Sequence, residues 1–182
     1  MHTYIEAALH ILKEHALDLN DIEDIRVIVS SLNRMLCEPE HVKRAPQKVI
    51  DAKFSIPFAV ATALYNKEVG LEHFTPERLK DENVLQLAQK IRYDVDPGLG
   101  LREATRGFLE IKAKDNKTYA KRVDRAYGHP DKPVSQKALV AKFMSCADKA
   151  KTRIPEEKLK EVSKCILSLE GIKDIRQIVQ FL

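Results

Sequence analysis

The sequence has 182 residues, which suits one ordinary domain or two very small ones. Apolar residues make up 44% and charged residues 32%, which excludes global disorder because enough side chains exist to build a core. Lys and Arg number 31 against 27 Asp and Glu, and a net charge of +4 is too small and too scattered to announce a nucleic-acid binder. Cys37, Cys146 and Cys165 lie far apart with no CxxC pair, as reduced thiols do in a cytosolic protein. No apolar run approaches about 18 residues, so no membrane span is expected. No signal peptide precedes the first helix, and a soluble cytoplasmic chain is expected.

A helix is predicted almost at once. Ile5, Ala8, Leu9, Leu12 and Ala16 follow the amphipathic spacing, with Glu6, His10, Lys13 and Glu14 opposite. Only Met1, His2 and Thr3 stand before Tyr4, and the chain stops on Ile178, Val179, Phe181 and Leu182. Both ends look cut, as in a fragment or a subunit that needs a partner. Asn20-Asp21-Ile22-Glu23 resembles a capping box, for at most a short helical turn. Ile25 to Leu32 is β-branched and apolar, a strand half to fully buried. Residues 33–50, with Cys37, His41 and Arg44, show no sustained period and read as a long loop.

Asp51 to Asn66 reads as the most buried helix, with either a kink at Pro57 or a start near Ser55. Thr75-Pro76 reads as a helix cap followed by a first-turn proline, and a short helix follows from Glu82 to Lys90. Three strands come next: Ile91–Asp96, then Gly107–Lys114 and Lys117–Val123 around an Asp115-Asn116 turn. Beyond Gly128-His129-Pro130 the pattern is wholly helical. Ser135 caps one helix, Pro155 opens another, and Gly171 is expected to cap it before the last. Leu159, Val162, Ile166 and Leu169 form one apolar stripe, and Ile172, Ile175, Val179 and Leu182 a second. The expected class is α+β, with a small mixed or antiparallel four-stranded sheet followed by an all-helical tail.

The residues alone stop short of a function. There is no P-loop, GxSxG, HExxH or CxxC. Among His2, His10, His15, His41, His73 and His129 no pair shows metal-ligand spacing, and no metal site is expected. Lys43, Arg44 and Lys48, like the stretch Lys112–Lys121, read as solvated surface, because aromatics are too sparse there for nucleic-acid stacking. His2 differs in position, since it opens an amphipathic helix. There its imidazole suits a base or donor beside a bound anion.

Three segments together resemble the MmgE/PrpD family. They are HTYIEAALHIL at the start, then Asp51-Ala52-Lys53-Phe54-Ser55-Ile56-Pro57-Phe58-Ala59-Val60-Ala61 with Gly70 and Phe74-Thr75. The third is Tyr127-Gly128-His129-Pro130, followed by Lys132-Pro133-Val134-Ser135 and Ala141-Lys142-Phe143. The family includes 2-methylcitrate dehydratase, cis-aconitate decarboxylase and iminodisuccinate epimerase. The resemblance spans essentially this whole chain but covers only the C-terminal part of the family's length. It implies an α+β domain over 1–130 and a helical tail over 131–182 that rejoins a large helical domain absent here.

The implied activity is that of a lyase, of the hydro-lyase type in 2-methylcitrate dehydratase. Proton transfer beside a carboxylate of a citrate-like acid would carry dehydration, decarboxylation or epimerisation. His2 matches a catalytic position, through the Glu6-Ala7-Ala8 that follows it, while the family's catalytic lysine falls before Met1. Lys53 and Arg44 are candidate carboxylate holders, with a surface or structural role as the alternative. Phe58 stands where relatives often carry Tyr. No cofactor is implied. The expected partners are a small carboxylate substrate, the missing helical domain and a second copy of the chain. The isolated chain is expected to be inactive, and the rival reading is a non-catalytic interaction module or separately encoded subunit.

Overall fold

Alternation of buried and solvated residues lays down a four-stranded sheet: β1 (Ile22–Val29), β2 (Ile91–Val95), β3 (Gly107–Ala113) and β4 (Thr118–Val123). The computed structural model describes residues 1–179, so Phe181 and Leu182 lie outside it. The strand order is β2-β1-β3-β4, with β1 parallel to β2 and the other pairings antiparallel. This is the mixed sheet of an α+β fold. Ile25, Val27, Val29, Leu109 and Ile111 point into the core. The other face is solvated and carries cross-strand ion pairs, Arg26–Asp94 and Arg92–Asp24.

Strand β1 runs three residues earlier than its apolar run suggests. A bulge between Ile22 and Asp24 turns both Ile22 and Ile25 inward, which recruits the acidic start of the strand into pairing with β3. At the far end Ser30 stops it. Its Oγ and carbonyl oxygen both accept from Asn33 N–H, at 3.2 and 3.0 Å, and lead into a 3₁₀ turn at Asn33–Leu36. Leu32, counted as strand from its composition, is therefore exposed. The β3–β4 turn follows expectation, with Asn116 in the left-handed region at φ 65°.

Helix α1 (His2–Glu14) buries Thr3, Tyr4, Ala7, Ala8 and Ile11, a face rotated from the predicted stripe. Ile5, Leu9 and Leu12 flank it half-buried, and Ala16 lies beyond the helix end. Small Ala7 and Ala8 permit close approach to the sheet, and Tyr4 is buried because its hydroxyl donates to the Ile28 carbonyl at 2.9 Å. Counting hydrophobicity alone misses both effects. The predicted capping box at Asn20 is instead an Asp18 cap, whose carboxylate accepts from Asn20 N–H over a 3₁₀ turn at Leu19–Asp21.

The segment 33–50 is not an open loop. It holds the 3₁₀ turn, α2 (Glu40–Arg44) and the start of α3 (Val49–Lys53). Local period is hard to see in helices of five residues. Helix α4 (Ile56–Asn66) starts afresh at Ser55, whose Oγ accepts from Phe58 N–H at 3.0 Å, with Pro57 in the first turn. The same hydroxyl donates to the Lys43 carbonyl at 2.5 Å, and Lys43 Nζ donates to the Phe54 carbonyl at 2.7 Å. Ile56 through Leu64 are all buried, with α1 and α5 (Glu82–Gln89) packed against α4. Thr75 caps only a 3₁₀ turn at Arg78–Lys80, and Asp81 caps α5.

The chain forms two compact units, the first ending at Pro133 and the second beginning at Val134. The second unit holds α6 (Gln136–Asp148), capped by Ser135, then α7 (Glu156–Leu167) and α8 (Arg176–Val179). Its predicted stripes hold only in part. Leu159 and Val162 are buried with Ile178, whereas Ile166, Leu169, Ile175 and Val179 are exposed. Gly171 lies in a 3₁₀ turn at Leu169–Gly171, and Ser168 ends α7 with its N–H on the Lys164 carbonyl. Among the described residues no helix is long and apolar enough to cross a membrane.

Candidate functional site

The start of α1 is wedged into one end of the sheet. Gly107, the first residue of β3, is in contact with Thr3, so closely that a Cβ there would meet Thr3 Oγ1 at 2.7 Å and its carbonyl carbon at 2.8 Å. Tyr4 bonds the Ile28 carbonyl one strand over. Burial pushes its phenol up and keeps it protonated as a donor. Asn33 Nδ2 donates to the Ala104 carbonyl, which ties the turn after β1 to the turn before β3. His2 is the first residue of α1 and is exposed, so its ring is presented to solvent at this end of the sheet.

Glu38 accepts from the Tyr93 hydroxyl and from Arg34 Nε, the latter at 2.8 Å. These two donors hold the Glu38 carboxyl below its ordinary range. Cys37 is buried in the core cluster with Tyr4, and burial, with Glu38 adding to it, pushes the thiol up to about 12.

Arg44 lies elsewhere. Its Nε donates to the carbonyl of Ile91, the first residue of β2, at 3.0 Å, and its Nη2 pairs with Glu40 at 2.6 Å. Ile91 pairs with Ile25, while the His2 end is marked by Ile28, three residues further along β1. That offset is about 10 Å along the strand. Arg44 is thus committed to backbone and carboxylate partners away from the start of α1. Lys53 is exposed at the last position of α3. Phe58 is buried on α4, its ring 6.2 Å from that of Phe74, so this position is apolar and offers no hydroxyl.

Sequence spacing missed a cluster of Glu68, Glu72 and His73, whose ligand-type atoms lie within 4.8 Å of one another. His73 is buried, but its Nδ1 already accepts from Gly70 N–H at 2.9 Å. A metal bound through that nitrogen would have to break this bond, so the cluster is not a ready cation site.

Glu6 was also passed over, although it stands one turn after His2. Its carboxylate accepts from the Tyr127 N–H at 2.9 Å and pairs with Lys132. Burial alone would raise this carboxyl, yet Lys132 and Tyr127 outweigh it and hold it low. Glu6, His10, Lys121, Arg125, Asp131 and Lys132 border an open cleft of about 350 Å³ between α1 and the chain after β4. Most of its cations are already paired, Lys121 with Glu14 and Arg125 with Asp131.

The first unit is thus an α+β domain that presents one exposed histidine at a helix start, held by a buried tyrosine and a close glycine contact. The chain belongs to the MmgE/PrpD family: residues 1–167 match its C-terminal domain. It is also similar to the cis-aconitate decarboxylase of Mus musculus, with 26% identity over 155 residues. That match covers 85% of this chain and 29% of the mouse protein, so the chain spans under a third of this relative's length.

Proposed function

We propose that this chain supplies the C-terminal part of a lyase-type active site for a citrate-like di- or tricarboxylate. His2 takes or returns the proton at a carbon next to a carboxylate, in dehydration, decarboxylation or epimerisation. The observation that carries this reading is the exposed His2 at the start of α1, within a segment matched to the family from residue 1. The exposed Lys53 is the stronger of the two proposed carboxylate holders, because Arg44 already holds the Ile91 carbonyl and Glu40. The remaining cationic and acid–base groups belong to a preceding helical domain, and the helices after residue 130 rejoin it. Groups that act together lose most of their catalysis when half are removed.

Two assays test the reading. The 182-residue chain alone is expected to turn over cis-aconitate or 2-methylcitrate far below about 1 per second, a working rate for an enzyme. Turnover at that rate would refute the need for a second domain. In an assembly that includes the helical domain, His2→Gln lowers turnover at least about 100-fold with an unchanged melting curve. Near-normal turnover of that variant would move the role to another residue.

A second reading rests on the exposed apolar side chains of the second unit, Leu139, Ile166, Leu167, Leu169, Ile175 and Val179. So much apolar surface on a small helical unit favours an interaction module that binds a partner chain or a second copy. Light scattering at micromolar concentration separates these, since a clean monomer argues against self-association.

A further inference from the structure

The chain between β4 and Val134 is internally fixed. Gly128 N–H donates to the Lys132 carbonyl at 2.9 Å, and Lys132 N–H returns to the His129 carbonyl at 2.7 Å. Gly128 sits at φ 99°, a conformation that side chains rarely adopt. The His129 ring is used within the loop: Nδ1 accepts from Asp131 N–H at 3.1 Å, and Arg125 lies 2.9 Å from Nε2. This preformed loop meets α1 at the Glu6 carboxylate, through a backbone N–H and an ammonium group. Four residues along a helix return to the same face after a rise of about 6 Å. Glu6 therefore stands directly behind His2 on the surface of α1.

We propose that Glu6 is a positioning residue for His2, docking the rigid 125–132 loop one turn away so that the loop forms a fixed wall of the site. This rests on the reading of His2 given above, and it adds a function to the Tyr127-Gly128-His129-Pro130 stretch that the chemistry of those side chains does not supply. The wall is held by both arms of the carboxylate. The Tyr127 arm fixes the loop backbone, and the Lys132 arm fixes the charge beside it.

The test uses the 182-residue chain without substrate, read by amide hydrogen exchange at Tyr127 and by the NMR signals of the His2 ring. Glu6→Ala raises Tyr127 exchange roughly ten- to a hundredfold, the range for losing a hydrogen bond to a charged group, and moves the His2 signals. Glu6→Gln keeps an acceptor and retains most of the Tyr127 protection. Lys121→Met, which breaks a different ion pair on α1 with Glu14 at 2.5 Å, leaves both readouts unchanged. Should Glu6→Ala not fold, Lys132→Met removes one arm only and still moves the His2 signals. A lower melting temperature with unmoved His2 signals would show a merely structural role and overturn the proposal, as would unchanged Tyr127 exchange in Glu6→Ala. Full turnover by His2→Gln would refute the catalytic reading and leave the Glu6 readouts standing.

Discussion

Replacing Gly107 by alanine isolates the contact that seats α1 on the sheet. The new Cβ would lie 2.7 Å from Thr3 Oγ1 and 2.8 Å from both Thr3 Cβ and the Thr3 carbonyl carbon. Rotating the hydroxyl away cannot relieve this, because the carbonyl carbon is backbone. Either β3 or the first turn of α1 has to move. Overpacking of this kind costs about 1–3 kcal/mol. Restricting the unfolded chain by Gly→Ala returns about 0.4–1 kcal/mol, so the net expected loss is about 1–2 kcal/mol. With a urea slope near 2 kcal/mol/M, the unfolding midpoint falls by about 0.5–1 M. Thr3→Ala does not rescue the variant, since it removes Oγ1 and leaves the other two atoms in place. Gly171→Ala is the control: nothing lies within 4 Å of its added Cβ, and stability should stay within about 0.5 kcal/mol. A Gly107→Ala protein as stable as the parent, with unmoved His2 ring signals, would refute the wedge.

Ser55→Ala removes both the acceptor for Phe58 N–H and the donor to the Lys43 carbonyl, and should cost about 1–2 kcal/mol in denaturant unfolding. Native Cys37 should resist a thiol reagent at pH 8 while the exposed Cys146 reacts, and equal labelling rates would contradict its burial. Because the folded Cys37 thiol keeps its proton up to about 12 while an unfolded one releases it near its ordinary value, this group's contribution to stability is full below the ordinary thiol range. It is lost as pH rises above that range, so a Cys37→Ala variant should show a flatter alkaline stability profile. Tyr4→Phe leaves the Ile28 carbonyl without its donor, and should lower stability by about 1–2 kcal/mol with α1 intact by circular dichroism.

The sheet was legible because alternation is strong in β3 and because Asn116 announces its turn. The start of α4 was legible too, since Ser55 and Pro57 together mark a helix N-terminus. Other features depended on partners that lie far off in sequence. The buried face of α1 turns on a tyrosine whose acceptor is Ile28, and β1 begins early because a bulge lets β3 recruit Ile22. Helices α2 and α3 are too short to show a period. At the site, His2 stood out through its place at a helix start and through family resemblance. Glu6 could have been found by the same spacing, as the residue one turn on, but its partners Tyr127 and Lys132 lie more than 120 residues further along the chain. The position of Arg44 was not legible, because only the fold puts the Ile91 carbonyl within its reach.

The path of the chain through the sheet also sets an order of assembly. β3 and β4 are joined by a tight turn, with Lys112 opposite Thr118, and they can pair as soon as both exist. β1 must then reach Ile111 from the other end of the domain, and β2 must find β1 after α2, α3, α4 and α5 have been threaded between them. Pairing partners as remote as Ile25 and Ile91, or Ile25 and Ile111, pay the loop-closure entropy before any contact rewards them. Folding should therefore be slow for a chain of this size, with the hairpin protected early and the two seams of β1 later. Until both seams close, the helices between β1 and β2 have no completed sheet to pack on, and the apolar surface of α4 is open to misassociation.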